Sequence, residues 1–238
     1  MPRKPRNFEV GGIYHITKRG VNGTKTFLSK QDYSRFILSL EFFNTEKEVN
    51  LWNSFFHKKS IAGAESAMLG EVIREKRREY RKEDRIVEIL VFCLMPNHFH
   101  LILREIKEGG ISCFMNKIGG YSSYFNDCYG RSGSLFDRYY SVPIETDQQL
   151  TVTFCYAHTN PVELWEPGWK DFKVNDPKGA IKKLYKYRES SFLDYAFPLT
   201  GKPNYPSVTD RDFYLDFFGG SEKCKEAVEN WILNKSQS

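Results

Sequence analysis

Apolar and polar positions separate most clearly in the middle of the chain. The run Ile86 to Leu94 is almost wholly apolar, Pro96-Asn97 interrupts it, and alternation resumes through Leu103, which predicts a β-hairpin. Period two sets His98 and His100 on one face of the second strand and Phe99 and Leu101 on the other. Ile13 to Lys18, rich in β-branched and aromatic residues, reads as an earlier strand. Ser29 with Asp32 opens a capped helix whose Tyr33, Phe36, Ile37, Leu40 and Phe43 share a face. A second helix is expected from about Ile111 to Tyr129, with Ile111, Phe114, Met115, Ile118 and Phe125 inward. Gly119-Gly120 weakens it by about 1 kcal/mol per glycine and marks close packing or a kink. Arg138 to Val142 reads as a strand. Thr146 or Asp147 then caps a segment through Leu150, Phe154 and Ala157 to Asn160, where Pro161 stops it, although Thr151-Val152-Thr153 is poor helix material.

Strand, helix, hairpin, helix, strand is the order of a split βαβ sandwich. The expected fold is α+β, ferredoxin-like (RRM-like), an antiparallel sheet with helices packed on one face. Between 44 and 85 the pattern loosens. A helix from about Ala62 to Arg85 carries Glu71, Glu75, Glu79 and Glu83 beside Arg74, Arg78 and Lys82, a solvated, salt-bridged face on a surface insertion. The domains are then 1–165, with the 44–85 helical insertion, and a C-terminal accessory, DNA-contacting region over 166–238, where Lys182, Lys183, Lys186 and Arg188 stand among Tyr185, Tyr187 and Phe192, a mixture that a packed tail would also explain.

With 238 residues and 40% hydrophobic content, the chain can bury one substantial core. A net charge of +5 favours polyanionic partners without demanding them. Five cysteines without a Cys-x-x-Cys pair or a secretory signal suggest a reduced, cytoplasmic setting. No apolar run approaches the roughly 18 to 20 residues of a membrane span, so no membrane partner is expected. Arg3, Lys4 and Arg6 form a basic arm, either a solvated tail or a phosphate contact. Arg19, in Arg19-Gly20-Val21-Asn22-Gly23, and Arg131, in Gly130-Arg131-Ser132-Gly133-Ser134, sit on glycine-bearing loops, and Arg138 opens the last strand. These six basic residues are the candidates for DNA contact.

His98 and His100, side by side on a rigid strand, are a start for a divalent-metal site, although a His-x-His pair alone reads as well as two locally bonded histidines. Tyr156 and Asn160 are four apart and fall on one helical face, presenting a phenol with an amide oxygen. Together the two imidazoles and the Asn160 oxygen can hold a cation with positions open to phosphate oxygens, with Tyr156 beside it as nucleophile. Tyrosine attack stores the energy of a phosphodiester in a covalent bond, which suits rejoining of strands rather than hydrolysis. Tyr121, Tyr124, Tyr129, Tyr139 and Tyr140 better suit packing or base stacking. His158 points away from the metal on helical geometry.

The motifs Met95-Pro96-Asn97-His98-Phe99-His100, Gly130-Arg131-Ser132-Gly133-Ser134-Leu135-Phe136 and Tyr156-Ala157-His158-Thr159-Asn160-Pro161-Val162 resemble the single-tyrosine HUH transposases, and within them the REP-associated tyrosine transposases. The opening Gly12-Ile13-Tyr14-His15-Ile16-Thr17-Lys18-Arg19-Gly20 and the helix with Asp32-Tyr33 and Phe36 match as well. The resemblance implies cutting of single-stranded DNA beside hairpins, a 5′-phosphotyrosine link and a free 3′-OH, with Mg2+ or Mn2+. It makes His98 and His100 the metal pair, Tyr156 the nucleophile and Asn160 the third ligand. It also implies a bacterial cytoplasm with activity at the nucleoid, and leaves open whether a homodimer completes the site. The 44–85 insertion and Glu163-Leu164-Trp165-Glu166 depart from the pattern. Two other readings of the residues are a domesticated, non-cutting nucleic-acid-binding protein and a phosphodiesterase that uses water.

Overall fold

A computed structural model describes residues 7–49, 82–197 and 208–235. The basic arm and residues 50–81 of the 44–85 insertion lie outside the described residues. Strand β1 (Ile13–Arg19) leads to helix α1 (Lys30–Phe42), then to the hairpin β2 (Val87–Met95) and β3 (His98–Glu105). Helices α2 (Gly110–Gly119) and α3 (Tyr121–Tyr129) precede β4 (Tyr140–Ile144), and α4 (Asp147–Thr159) follows it. The four strands form one antiparallel sheet in the order β2-β3-β1-β4, the order of the split βαβ sandwich.

Local chemistry accounts for most boundaries. Ser29 and Asp32 close a reciprocal capping box at the start of α1. The long expected helix breaks at Gly119-Gly120 into α2 and α3, as two adjacent poor helix formers favour. The last strand begins at Tyr140, two residues later than Arg138. Helix α4 does form through Thr151-Val152-Thr153; Thr146 and Gln149 make a second capping box, and the Thr151 hydroxyl donates to the Asp147 carbonyl.

Two cores flank the sheet. Tyr14, Ile16, Phe99, Leu101 and Leu103 face α1, α2 and α3, the helix layer expected on one face. A bulge between Ile89 and Val91 lets Ile89 and Phe92 face this layer while Leu90 and Val91 turn to the other. On that second face, Leu90, Val91 and Ile102 pack with α4 and with the C-terminal helices α5 (Pro177–Leu184), α6 (Phe192–Ala196), α7 (Asp212–Phe218) and α8 (Ser221–Asn234). The C-terminal region is therefore a packed layer, with Lys182, Lys183, Lys186 and Arg188 exposed on its surface. It also covers the free edge of β2: Leu94 N–H donates to the Glu189 carbonyl and Ser191 N–H to the Phe92 carbonyl. Among the described residues no helix is long and apolar enough to cross a membrane.

Candidate nuclease site on the sheet

The turn Pro96-Asn97 is pinned from outside the hairpin. Gly20 N–H donates to the Asn97 carbonyl at 2.8 Å and Thr26 N–H to the Pro96 carbonyl at 2.7 Å. Gly20 has to be glycine because a side chain there would run into the Thr24 carbonyl oxygen. That close approach serves the protein's own turn rather than a ligand, and it fixes where β3 begins and where His98 stands.

In the antiparallel register His98 lies opposite Arg19, and His100 opposite Thr17, which is flanked on its other side by Tyr140. His98 and His100 are 6% and 3% exposed, with ring centroids 4.9 Å apart. Asn97 Oδ1 sits 2.7 Å from His98 Nδ1. A carboxamide oxygen accepts, so the His98 proton belongs on Nδ1 and Nε2 keeps its lone pair. That Nε2 faces another acceptor, Asn160 Oδ1, at 3.3 Å. Two acceptors aimed at one point invite a cation between them.

His100 repeats the pattern. Its Nδ1 is 3.0 Å from His15 Nε2 and 3.2 Å from Thr17 Oγ1, whereas its Nε2 is buried and bonded to nothing among the described residues. Burial lowers the pKa of His98 to about 4, with the Arg19 charge adding to the effect. His100 is likewise lowered well below the usual histidine value, first by burial and then by its histidine neighbours and Arg19. At neutral pH both imidazoles are uncharged and able to ligate.

Helix α4 supplies the rest. Its Phe154, Cys155 and Ala157 are buried in the second core, which orients the helix and leaves Tyr156 on the flank, 38% exposed. The Tyr156 ring stands edge-on to His100 at 5.4 Å and to His15 at 6.0 Å. One turn later Asn160, buried, begins a 3-10 turn with Pro161. His158 turns into the core: its Nε2 is 2.9 Å from Ser191 Oγ and its ring packs on Phe154.

The other basic candidates divide. Arg19 is exposed at the rim, beside His98. Arg138 is exposed two residues before β4. Arg131 uses its guanidinium on its own loop, donating to Asn126 Oδ1 at 3.1 Å and the Ser134 carbonyl at 3.2 Å. Tyr121, Tyr124 and Tyr129 donate to Thr26 and Asp32 in the helix layer, away from this face. Tyr140 is 77% exposed and shares the face of Thr17 and His100. Sequence reasoning missed His15, Thr17 and the Asn97 side chain. The alternation His15, Thr17, Arg19 on one strand face was the available signal.

The fit to a cation can be judged from these atoms. Two unprotonated Nε2 atoms and an amide oxygen with free lone pairs suit a divalent ion of the Mn2+ type. Among the described residues no group of three or more His, Cys, Asp or Glu could hold a metal, so a cation at this place would need Asn160 and substrate oxygens to complete its shell.

No curated protein matches the chain. A solved structure of the REP-associated tyrosine transposase bound to a REP hairpin superposes with a TM-score of 0.47 at 17% identity, covering 89% of this chain and 96% of that one. Residues 55–160, which include the hairpin, α4 and all four central side chains of the site, match the family described as IS200-like transposases.

Proposed function

We propose that this chain is a metal-dependent single-stranded DNA endonuclease and strand-transferase, which cuts beside DNA hairpins through a covalent 5′-phosphotyrosine link on Tyr156. The observation that carries the reading is the meeting of Tyr156 and Asn160, from one face of α4, with His98 and His100 on β3. The match to IS200-like transposases supports it, as does the motif resemblance to the single-tyrosine HUH transposases.

His98, His100 and Asn160 hold Mg2+ or Mn2+, which when bound polarises the scissile phosphodiester and stabilises the departing oxygen. The Tyr156 phenol gives up its proton to solvent as its oxygen attacks phosphorus. The bond from phosphorus to the 3′ oxygen breaks, that oxygen leaves as a 3′-OH after taking a proton, and the 5′ phosphate stays on tyrosine. Attack by another 3′-OH reverses the exchange and releases Tyr156, so a phosphodiester is conserved throughout. Arg19 and Arg138, with Arg3, Lys4, Arg6 and Arg131, contact the strand's phosphates. Tyr140 offers its exposed ring to a base on the site's face. The basic surface of the C-terminal layer extends the track. One chain supplies all four central groups, so a homodimer is not needed to complete the site.

The test is incubation with Mn2+ and a hairpin-flanked oligonucleotide, followed by denaturing electrophoresis. A protein–DNA adduct is expected, absent in Tyr156→Phe. Cleavage that persists without an adduct in Tyr156→Phe would indicate a water-using phosphodiesterase. Binding with no cleavage by wild type would indicate a non-cutting protein.

A further inference from the structure

The environment of His100 is lopsided. Two polar groups crowd Nδ1, His15 Nε2 at 3.0 Å and Thr17 Oγ1 at 3.2 Å, while the Asn160 side chain also acts on the ring. Thr17 Oγ1 is also 3.4 Å from His15 Nε2, so the three atoms close a triangle. At the opposite corner of the ring, Nε2 is buried with no partner among the described residues.

Only one assignment of protons satisfies this triangle while leaving Nε2 free for a ligand. The His100 proton sits on Nδ1 and is donated to His15 Nε2, with the Thr17 oxygen as a second acceptor. His15 then carries its own proton on Nδ1. The other tautomer would put an N–H at the buried Nε2 and close that atom to a cation.

We infer that His15 is a positioning residue: through Nε2 it accepts the His100 Nδ1 proton, fixing the tautomer and ring orientation that present His100 Nε2 to a cation. This rests on the reading that the cation is held by His98, His100 and Asn160. Asn97 serves His98 in the same way, so each metal-facing imidazole is held from behind by a neighbour that accepts its proton. The stacked arrangement of the His15 and His100 rings, 5.2 Å apart at 22°, adds a steric restraint on rotation. His15 can serve here because it lies on β1, the strand paired with β3, on the same face as Thr17, which pairs with His100.

Two measurements test the inference. The first is nitrogen-15 NMR of the imidazoles in the metal-free wild-type protein, which reads the tautomer of His100 without any substitution. A protonated Nδ1 and a bare Nε2 are expected; a protonated Nε2 overturns the inference. The second is Mn2+ affinity, followed by the spin-resonance signal of free Mn2+, in His15→Phe and His15→Gln. Phenylalanine keeps a ring and removes the acceptor, and should weaken Mn2+ binding by roughly 10–100-fold. Glutamine restores an acceptor oxygen and should hold affinity near that of wild type. A His15→Phe protein that binds Mn2+ as wild type does, with His100 still protonated on Nδ1, overturns the role of His15 and leaves the metal reading standing. A wild-type protein that binds no Mn2+ overturns the metal reading itself.

Discussion

The Tyr156 ring meets the His100 ring edge-on, 5.4 Å between centroids and 86° between planes. This contact joins the flank of α4 to the centre of the sheet, and it leaves the phenol open to solvent on its other side. The proposed role of Tyr156 as nucleophile needs both conditions: a fixed place beside the proposed cation site and an open approach. The helix is held there by Phe154 and Ala157 beneath it, so the geometry of the site is a consequence of core packing.

His158, two residues along the same helix, is the contrasting case. Its ring is fully buried against Phe154, with Ser191 as hydrogen-bond partner. His158→Ala is expected to cost about 3 kcal/mol in stability through the cavity it leaves, since the Ser191 hydroxyl keeps its bonds to the Phe92 backbone. Mn2+ affinity of the folded fraction should be unchanged. Urea unfolding and a metal titration on the same variant check both halves.

Asn160 is the proposed oxygen ligand beside the two imidazoles. Imidazole nitrogen suits Mn2+ better than Mg2+, so Mn2+ should bind more tightly. Asn160→Ala should weaken binding of either ion, whereas Asn160→Asp, which keeps an oxygen there, should retain it. Calorimetric titration with each metal decides this, and equal affinity of wild type and Asn160→Ala would remove Asn160 from the ligand set.

Acid should destabilise the metal-free protein. Burial lowers the pKa of His15 and His98 to about 4 and of His158 to about 3. The unfolded chain takes up those protons near the ordinary value of about 6.5. Between about 6.5 and about 4 the unfolded state therefore binds more protons, and stability falls as pH falls through that window. The urea midpoint should be flat above the window and drop steadily inside it.

Tyr140 is exposed at the sheet edge, on the strand beside β1, and in line with Thr17 and His100. Tyr140→Ala should weaken binding of single-stranded DNA by about 1–3 kcal/mol through lost base stacking, with no change in thermal stability. Fluorescence anisotropy with a labelled oligonucleotide measures it. Unchanged affinity would take Tyr140 out of the DNA face.

The sheet and its first helix layer were legible because alternation and helical periodicity are local signals. Ser29 with Asp32, and Pro96-Asn97 between two apolar runs, announced their elements directly. His15 and Thr17 were not recognised as neighbours of His100, because that contact depends on the register of β1 against β3, which no local pattern encodes. The second layer was harder still. Phe192, Tyr195 and Tyr214 are aromatic in the sequence whether they stack on bases or on one another, and only packing tells that they line a core. Arg131 is a comparable case: that its guanidinium also braces Asn126 and Ser134 on its own loop is a contact no local pattern announces.

The most direct test of the central claim is to map the adduct by mass spectrometry after reaction with Mn2+ and a hairpin-flanked single strand. The account predicts a 5′-phosphorylated nucleotide remnant on Tyr156 and a released strand whose 3′-OH a polymerase can extend. A remnant on any other residue, or cleavage that leaves a 3′ phosphate, would contradict it.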